Sequence, residues 1–301
     1  MKIIHGLTSD NIDKGSVLTL GMFDGVHIAH RQILSECVYT AKENGQKSLC
    51  LTYHPHPMNV FKKKNDFEVL TTLEEKLSFI EECGVDATII INFTEDFSFV
   101  SAEDFLSDVK DKLNPYEIIV GYRTTFGNRR QGNAETLRKF GEKNDILTRI
   151  ITHISKGVVT VSSSEIRNLL KRGEVEKANS LLGYKYNFSG TVIEGDKRGR
   201  TLGFKTANIE VNDKQKLIPM YGVYSADVLI NGEKYKSVLN IGTRPTFDRD
   251  FSIETHILDF DRDIYNSDIT IYITDFLRNI VRFSSKEELI KQIKEDILRV
   301  I

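Results

Sequence analysis

The hydrophobic periodicity of the chain changes near Gly183–Asn187, and a single layered core does not accommodate both patterns. Before that point short β-rich apolar runs alternate with helical ones. Val17–Leu20, Ser48–Tyr53, Ala87–Ile91 and Tyr116–Val120 read as buried strands. Ile28 to about Lys42, Leu73–Cys83 and Ala102–Val109 read as helices, the last opened by Ser101 as N-cap with Asp104 in its first turn. Such alternation predicts a parallel sheet covered by helices, with ligands bound beyond the carboxyl ends of its strands. After the change, strands dominate: Ser189–Ile193, Val223–Ile230, Lys234–Asn240, Ser252–Asp259 and Ile269–Ile273, with Asn231-Gly232 as a hairpin turn. One helix follows, from Ser285 to Leu298. This half predicts a small antiparallel barrel closed by a helix. Ile166–Leu182 reads as one or two linking helices. The expectation is an α/β domain over 1–182 followed by a β domain over 183–301.

The 301 residues, 40% of them hydrophobic, supply two cores. Residues 1–182 hold 23 Lys+Arg against 25 Asp+Glu, and 183–301 hold 18 against 18. Neither half has the basic excess of a nucleic-acid or membrane-surface binder, so small molecules are the expected partners. Cys37, Cys50 and Cys83 form no CxxC pair and leave an odd thiol, which argues against a disulfide framework. The N-terminus lacks an apolar signal core and no run is long enough to span a bilayer. The expected state is a cytoplasmic monomer or weak oligomer.

Three segments of the first half carry chemistry. Gly21-Met22-Phe23-Asp24-Gly25-Val26-His27-Ile28-Ala29-His30 follows the first strand and opens the first helix. His27 and His30 share a helical face at a helix N-terminus, where an anion is favoured and imidazoles stabilise charge on phosphorus. The same spacing also serves a metal pair or a capping histidine. Ser162-Ser163-Ser164-Glu165-Ile166-Arg167 has capping-box spacing between Ser162 and Glu165 and offers a second phosphate cradle. Thr52-Tyr53-His54-Pro55-His56-Pro57 forms a loop stiffened by two prolines. In the second half, Gly190 to Phe204 is glycine-rich without being a P-loop. Thr206 and Asn208 point to one face of a strand and are hard oxygen donors suited to magnesium beside phosphates. Glu254 lies in an otherwise apolar strand, where kinase chemistry would use a base.

In this order the segments LGMFDGVHIAH, TYHPHP, GYRTTFGNRRQGN and VSSSEIR resemble the adenylyltransferase half of the bacterial bifunctional riboflavin kinase/FAD synthetase family. The segments from Gly190 to Phe260 resemble its riboflavin kinase half. The resemblance implies a Rossmann-like nucleotidyltransferase α/β domain and a six-stranded antiparallel kinase barrel with a closing helix. It implies ATP as co-substrate, Mg²⁺, and riboflavin, FMN and FAD as substrates and products. His27 and His30 stand where the family's histidines hold ATP phosphates, and Ser163, Ser164 and Arg167 would serve the same nucleotide. Asp24 belongs to the first motif, and Tyr53 and Pro55 would border the flavin. In the barrel, Gly195, Gly199, Arg200 and Gly203 would receive ATP, Thr206 and Asn208 would hold the metal, and Glu254 would be the general base. Four departures stand out: Ala29 replaces the glycine between the histidines, Arg123 an acidic or amide residue, Lys205 a proline and Ile280 a carboxylate. The first two keep a second reading open, a riboflavin kinase without adenylyl transfer. A non-catalytic flavin- or nucleotide-binding regulator is a third, against which Glu254, Thr206 and Asn208 speak.

Overall fold

The inner strands of the first half's sheet are built from largely apolar runs because both of their faces are covered. A computed structural model describes residues 1–7, 14–61, 67–152, 155–156, 159–195, 203–242 and 252–301. These residues fall into two compact units, Met1–Ser163 and Ser164–Ile301.

In the first unit the strands are β1 (Lys2–His5), β2 (Val17–Leu20), β3 (Ser48–His54), β4 (Ala87–Asn92), β5 (Glu117–Gly121) and β6 (Leu147–Ile151). The helices are α1 (Ile28–Glu43), α2 (Pro57–Phe61), α3 (Leu73–Glu82), α4 (Ala102–Leu113) and α5 (Ala134–Asn144). All neighbouring strands of the sheet pair in parallel, in the order β1-β4-β3-β2-β5-β6. Leu18, Leu51, Ile89 and Ile118 pack with Phe105 and Leu106 of α4. Cys50 packs with Leu34 of α1 and Ile80 of α3. The chain runs from β2 outward to β3 and β4, then returns to place β5 on the other side of β2. That reversal is the switch point at which such sheets open a crevice. The turns after β2 and β5 border it. A small hairpin of β7 (Ser155–Lys156) and β8 (Val159–Thr160) follows.

The second unit holds α6 (Ser163–Lys171, its first residue counted with the first unit), α7 (Val175–Leu182), β9 (Asn187–Ile193), β10 (Ala207–Val211), β11 (Gly222–Ile230), β12 (Glu233–Gly242), β13 (Ser252–Ile257), β14 (Asp268–Arg278) and α8 (Lys286–Leu298). The six strands close into a barrel in the order β10-β13-β12-β11-β14-β9. Every ladder is antiparallel. Asn231 and Gly232 both have positive φ, which the tight turn between β11 and β12 requires. Asp296 of α8 is buried and accepts from the Nε and Nη2 of Arg278 at 2.7–3.0 Å, fastening the helix to β14.

Packing divides the chain earlier than the change of periodicity does. The two linking helices belong with the barrel: Asn179 of α7 donates to the Ile273 carbonyl at 3.0 Å and accepts from the Tyr186 amide at 2.7 Å. The Met220 amide donates to Leu170 of α6 at 3.1 Å. The expected boundary after Leu182 marks the shift to strand periodicity, whereas compactness places the division at Ser163.

Candidate active sites

The turn after β2 is conformationally strained. Phe23 (φ 50°), Gly25 (φ 83°) and Val26 (φ 30°) all lie at positive φ, and for β-branched Val26 this is an outlier held by its surroundings. Those surroundings are explicit. The Asp24 carboxylate is buried and accepts from the Leu70 and Thr71 amides at 2.9 and 3.1 Å, and the Gly25 amide donates to the Thr71 hydroxyl at 3.0 Å. Asp24 thus anchors the turn to the segment that precedes α3. The Ser163 hydroxyl donates to the Asp24 carbonyl at 2.8 Å, so two motifs far apart in sequence meet here.

The turn delivers His27 to the N-cap of α1, where its Nδ1 accepts from the His30 amide at 3.3 Å. A ring nitrogen used as an acceptor leaves Nε2 to carry the proton of the neutral ring. His30 stacks on His27 with ring centroids 3.6 Å apart, and Phe23 meets His30 edge-on at 5.2 Å. The His30 Nδ1 is buried and has no hydrogen-bond partner among the described residues. Burial holds the His30 imidazole well below its ordinary pKa, helped by the His27 and Lys76 charges. His30 therefore presents a neutral imidazole, stacked on His27 at the positive end of a helix, suited to receiving phosphate oxygens.

Lys76 of α3 is not singled out by the sequence patterns, because a lysine in a helix is ordinarily solvated. Here it is buried, and its ammonium donates to the Tyr53 carbonyl at 3.0 Å, the Thr52 hydroxyl at 3.2 Å and the Met22 carbonyl at 3.4 Å. Tyr53 itself turns inward, its ring buried among Phe93, Phe97 and Phe105. The surface of the following loop comes from Pro55 and His56, the latter stacked on Phe67 at 4.4 Å. Arg123 is exposed with its guanidinium over the Tyr122 ring at 5.3 Å, and Ala29 lies in the first turn of α1. Ser164 is exposed and Arg167 half-buried, both on α6 in the second unit.

In the barrel, strand register makes the site. Asn208 of β10 pairs directly with Glu254 of β13, and Glu254 pairs with Asn240 of β12. Directly opposed residues point to the same side of a sheet, so an amide, a carboxylate and a second amide line up across three strands. The neighbouring residues Ile209, Ile253 and Ile241 form the parallel buried row that faces the barrel core. Asn208 is buried. Gly195 abuts it so closely that a Cβ there would lie 2.0 Å from the Asn208 Nδ2. Thr206 lies two residues before Asn208, half-buried. Gly203 has φ 85° and its Cβ position faces open space. Gly199 and Arg200 lie outside the described residues.

A cavity of about 240 Å³ opens at the start of β10, lined by Val192, Thr206, Ala207, Thr255, Phe260 and Tyr265 among others. The Thr255 hydroxyl is fully buried there and has no hydrogen-bond partner among the described residues. Lys205 closes one edge: its ammonium pairs with Asp261, and its carbonyl lies 2.7 Å from the His256 Nδ1. Ile280 is exposed and its Cδ1 reaches over Gly242. Hydroxyl, amide and carboxylate oxygens of this kind are the hard donors magnesium takes alongside waters and phosphates, so Thr206, Asn208 and Glu254 fit a magnesium–nucleotide complex.

Comparison with known proteins agrees with both units. Residues 9–165 match the family model for FAD synthetase, and residues 182–301 match that for riboflavin kinase. A bifunctional riboflavin kinase/FMN adenylyltransferase of Listeria monocytogenes is 37% identical over 296 residues, covering 97% of this chain and 94% of the relative. One from Bacillus subtilis is 36% identical, covering 98% and 96%. A crystal structure of a macrolide-efflux protein from Streptococcus pneumoniae has a TM-score of 0.91 at 28% identity, covering all of this chain and 99% of its own. Among the described residues no helix is long and apolar enough to cross a membrane. A resemblance read first from short motifs thus extends over nearly the whole length of the curated relatives, and the chain belongs to the family of bifunctional riboflavin kinase/FMN adenylyltransferases.

Proposed function

We propose that this chain converts riboflavin to FMN in its barrel and FMN to FAD in its parallel-sheet unit, with ATP as the donor in both steps. What supports the reading is that each family-matched unit brings together polar groups suited to phosphate chemistry: the stacked His27–His30 pair in one and the Asn208–Glu254–Asn240 row in the other. The relatives carry both activities by name, which favours this over a kinase-only chain despite Ala29 and Arg123.

In the kinase step Glu254 accepts the proton of the riboflavin 5′-hydroxyl as that oxygen attacks the γ-phosphorus, and ADP leaves. Thr206 and Asn208 would hold magnesium, which when bound neutralises phosphate charge. Gly195 and Gly203 would let backbone amides approach the phosphates. The cavity beside Thr206 suits the base of the nucleotide, with the Thr255 hydroxyl as a partner. In the adenylyl step an FMN phosphate oxygen attacks the α-phosphorus and pyrophosphate leaves. No side-chain nucleophile or proton transfer is needed, so positioning and charge stabilisation by His27, His30, Ser163, Ser164 and Arg167 carry the catalysis. Asp24 contributes by holding the turn that presents the histidines, and Pro55 shapes the flavin side, whereas the Tyr53 ring, expected there, is committed to the core. The cytosol suits the three free thiols.

The test is a product assay on the full chain with ATP and Mg²⁺, from riboflavin in one tube and FMN in another. FAD in both supports the reading, and FMN alone in the first returns the chain to a kinase. Glu254→Gln should lower FMN formation by roughly two to four orders of magnitude while leaving the FMN-to-FAD step intact. Unchanged FMN formation removes Glu254 from the mechanism.

A further inference from the structure

Lys76 stands in no motif quoted above, yet it joins two of them. Its three N–H donors are matched by three acceptors, the Met22 carbonyl in the turn after β2 and the Thr52 hydroxyl and Tyr53 carbonyl at the end of β3. The Thr52 hydroxyl also donates to the Met22 carbonyl at 3.1 Å, closing a small network. The two backbone segments so joined lead to His27 and His30 on one side and to the His54–Pro57 loop on the other. A buried ammonium is expensive to desolvate, and removing it strands the acceptors that it served. An apolar helix residue would fill the same volume without that cost.

We infer that Lys76 is a positioning residue of the adenylyl-transfer site, its ammonium clamping the phosphate-side turn after β2 to the flavin-side loop after β3 so that the two substrates meet at a set separation. This rests on the adenylyltransferase reading of the unit. The titratable groups around Lys76 are Asp24 from the turn, the Cys50 thiol from β3, and His30 with His27 beyond it from α1. Glu75, its neighbour on α3, is engaged in the helix's capping box with Thr72. Burial brings the Lys76 ammonium down to about 8, with Asp24 acting against it, and the Lys76 charge in turn disfavours protonation of His30.

The test uses the full chain carrying Lys76→Met, and separately Thr52→Val, which is isosteric and removes one arm of the network. For Lys76→Met the expected result is a roughly 10- to 100-fold fall in kcat for FAD formation, the scale of a sub-ångström to 1 Å misplacement. KM for ATP should stay near that of the wild type, and riboflavin phosphorylation should be unchanged. Thr52→Val should act in the same direction but less. Removing the nearby positive charge makes His30 easier to protonate, so its ring resonances should titrate at higher pH in Lys76→Met. Normal kcat and KM in Lys76→Met, or a loss that tracks unfolding of the unit while Thr52→Val is silent, would overturn the inference. If the wild type forms no FAD, the adenylyltransferase reading falls alone. The clamp is then judged by FMN and ATP binding: weakened FMN binding with unchanged His30 titration counts against it, and a shifted titration with weakened FMN binding supports it.

Discussion

Gly195→Ala isolates the metal side of the kinase site from everything else in the chain. The φ of Gly195 lies outside the left-handed region, so alanine fits the backbone there. The difficulty is steric. The new Cβ would lie 2.0, 2.4 and 2.8 Å from the Nδ2, Cγ and Oδ1 of Asn208. The first of these is roughly 1.5 Å inside an ordinary contact of about 3.5 Å. Asn208 is buried on β10 and paired across to Glu254, so its backbone does not yield easily and the amide must swing aside. Displacing a donor by more than 1 Å costs on the order of 100-fold in rate when positioning carries the catalysis. The stability cost should be the modest one of an overpacked side chain, about 1–3 kcal/mol. The assay follows FMN formation from riboflavin across a magnesium titration, with FAD formation from FMN in the same preparation as the internal control. The expected outcome is a roughly 100-fold lower kinase rate, a raised magnesium requirement and unchanged FAD formation. A kinase rate and magnesium dependence like the wild type's would refute the assignment of Asn208 to the metal and, with it, the steric argument.

Three further outcomes follow from the first unit. His27→Ala removes both the cap of α1, worth about 1 kcal/mol, and one ring of the stacked pair; FAD formation should vanish and FMN formation persist, and loss of both would mean unfolding instead. Asp24→Ala leaves the Leu70 and Thr71 amides without their acceptor and should destabilise the unit by about 2–4 kcal/mol in thermal or denaturant unfolding, whereas Asp24→Asn, which keeps an acceptor oxygen, should cost clearly less; equal losses would show that hydrogen bonding is not the cause. His30 is held neutral in the folded unit, so below about pH 6.5 the unfolded chain binds a proton that the folded one refuses, and stability falls as pH drops. His30→Gln should flatten that part of the stability–pH profile, and an unchanged slope would assign it to other groups.

Much of the architecture was legible in the sequence because burial on both faces writes itself as uninterrupted apolar runs. Val17–Leu20, Ser48–Tyr53 and Ala87–Ile91 coincide with β2, β3 and β4 to within a residue, and Ser101 caps α4 as its side chain predicts. Where burial is partial the signal fades. β1 and β6 are the edges of the sheet and carry exposed positions such as Ile3 and Leu147, and neither run stands out. α5 (AETLRKFGEKN) buries only Leu137 and Gly141, too little for a helical stripe. β14 runs five residues past Ile273 because register shifts against β11 let it continue beyond the apolar run.

The sites divide in the same way. Sequence alone determined the two periodicities, the chemistry-bearing motifs and their order, since each motif is a local run whose residue types state what they can donate or accept. Only the tertiary structure decided which of those groups act together. Ser163 meets Asp24 across 139 positions. Glu254 stands between Asn208 and Asn240 only because a closed barrel brings β10, β13 and β12 side by side. Tyr53 goes to the core instead of the loop surface, and Lys76 leaves solvent to hold two loop ends, because strand pairing sets those backbone atoms within reach of one ammonium. Local patterns encode what a residue prefers; which partners satisfy it depends on chain segments far away in sequence, and closure of the sheet and barrel settles that.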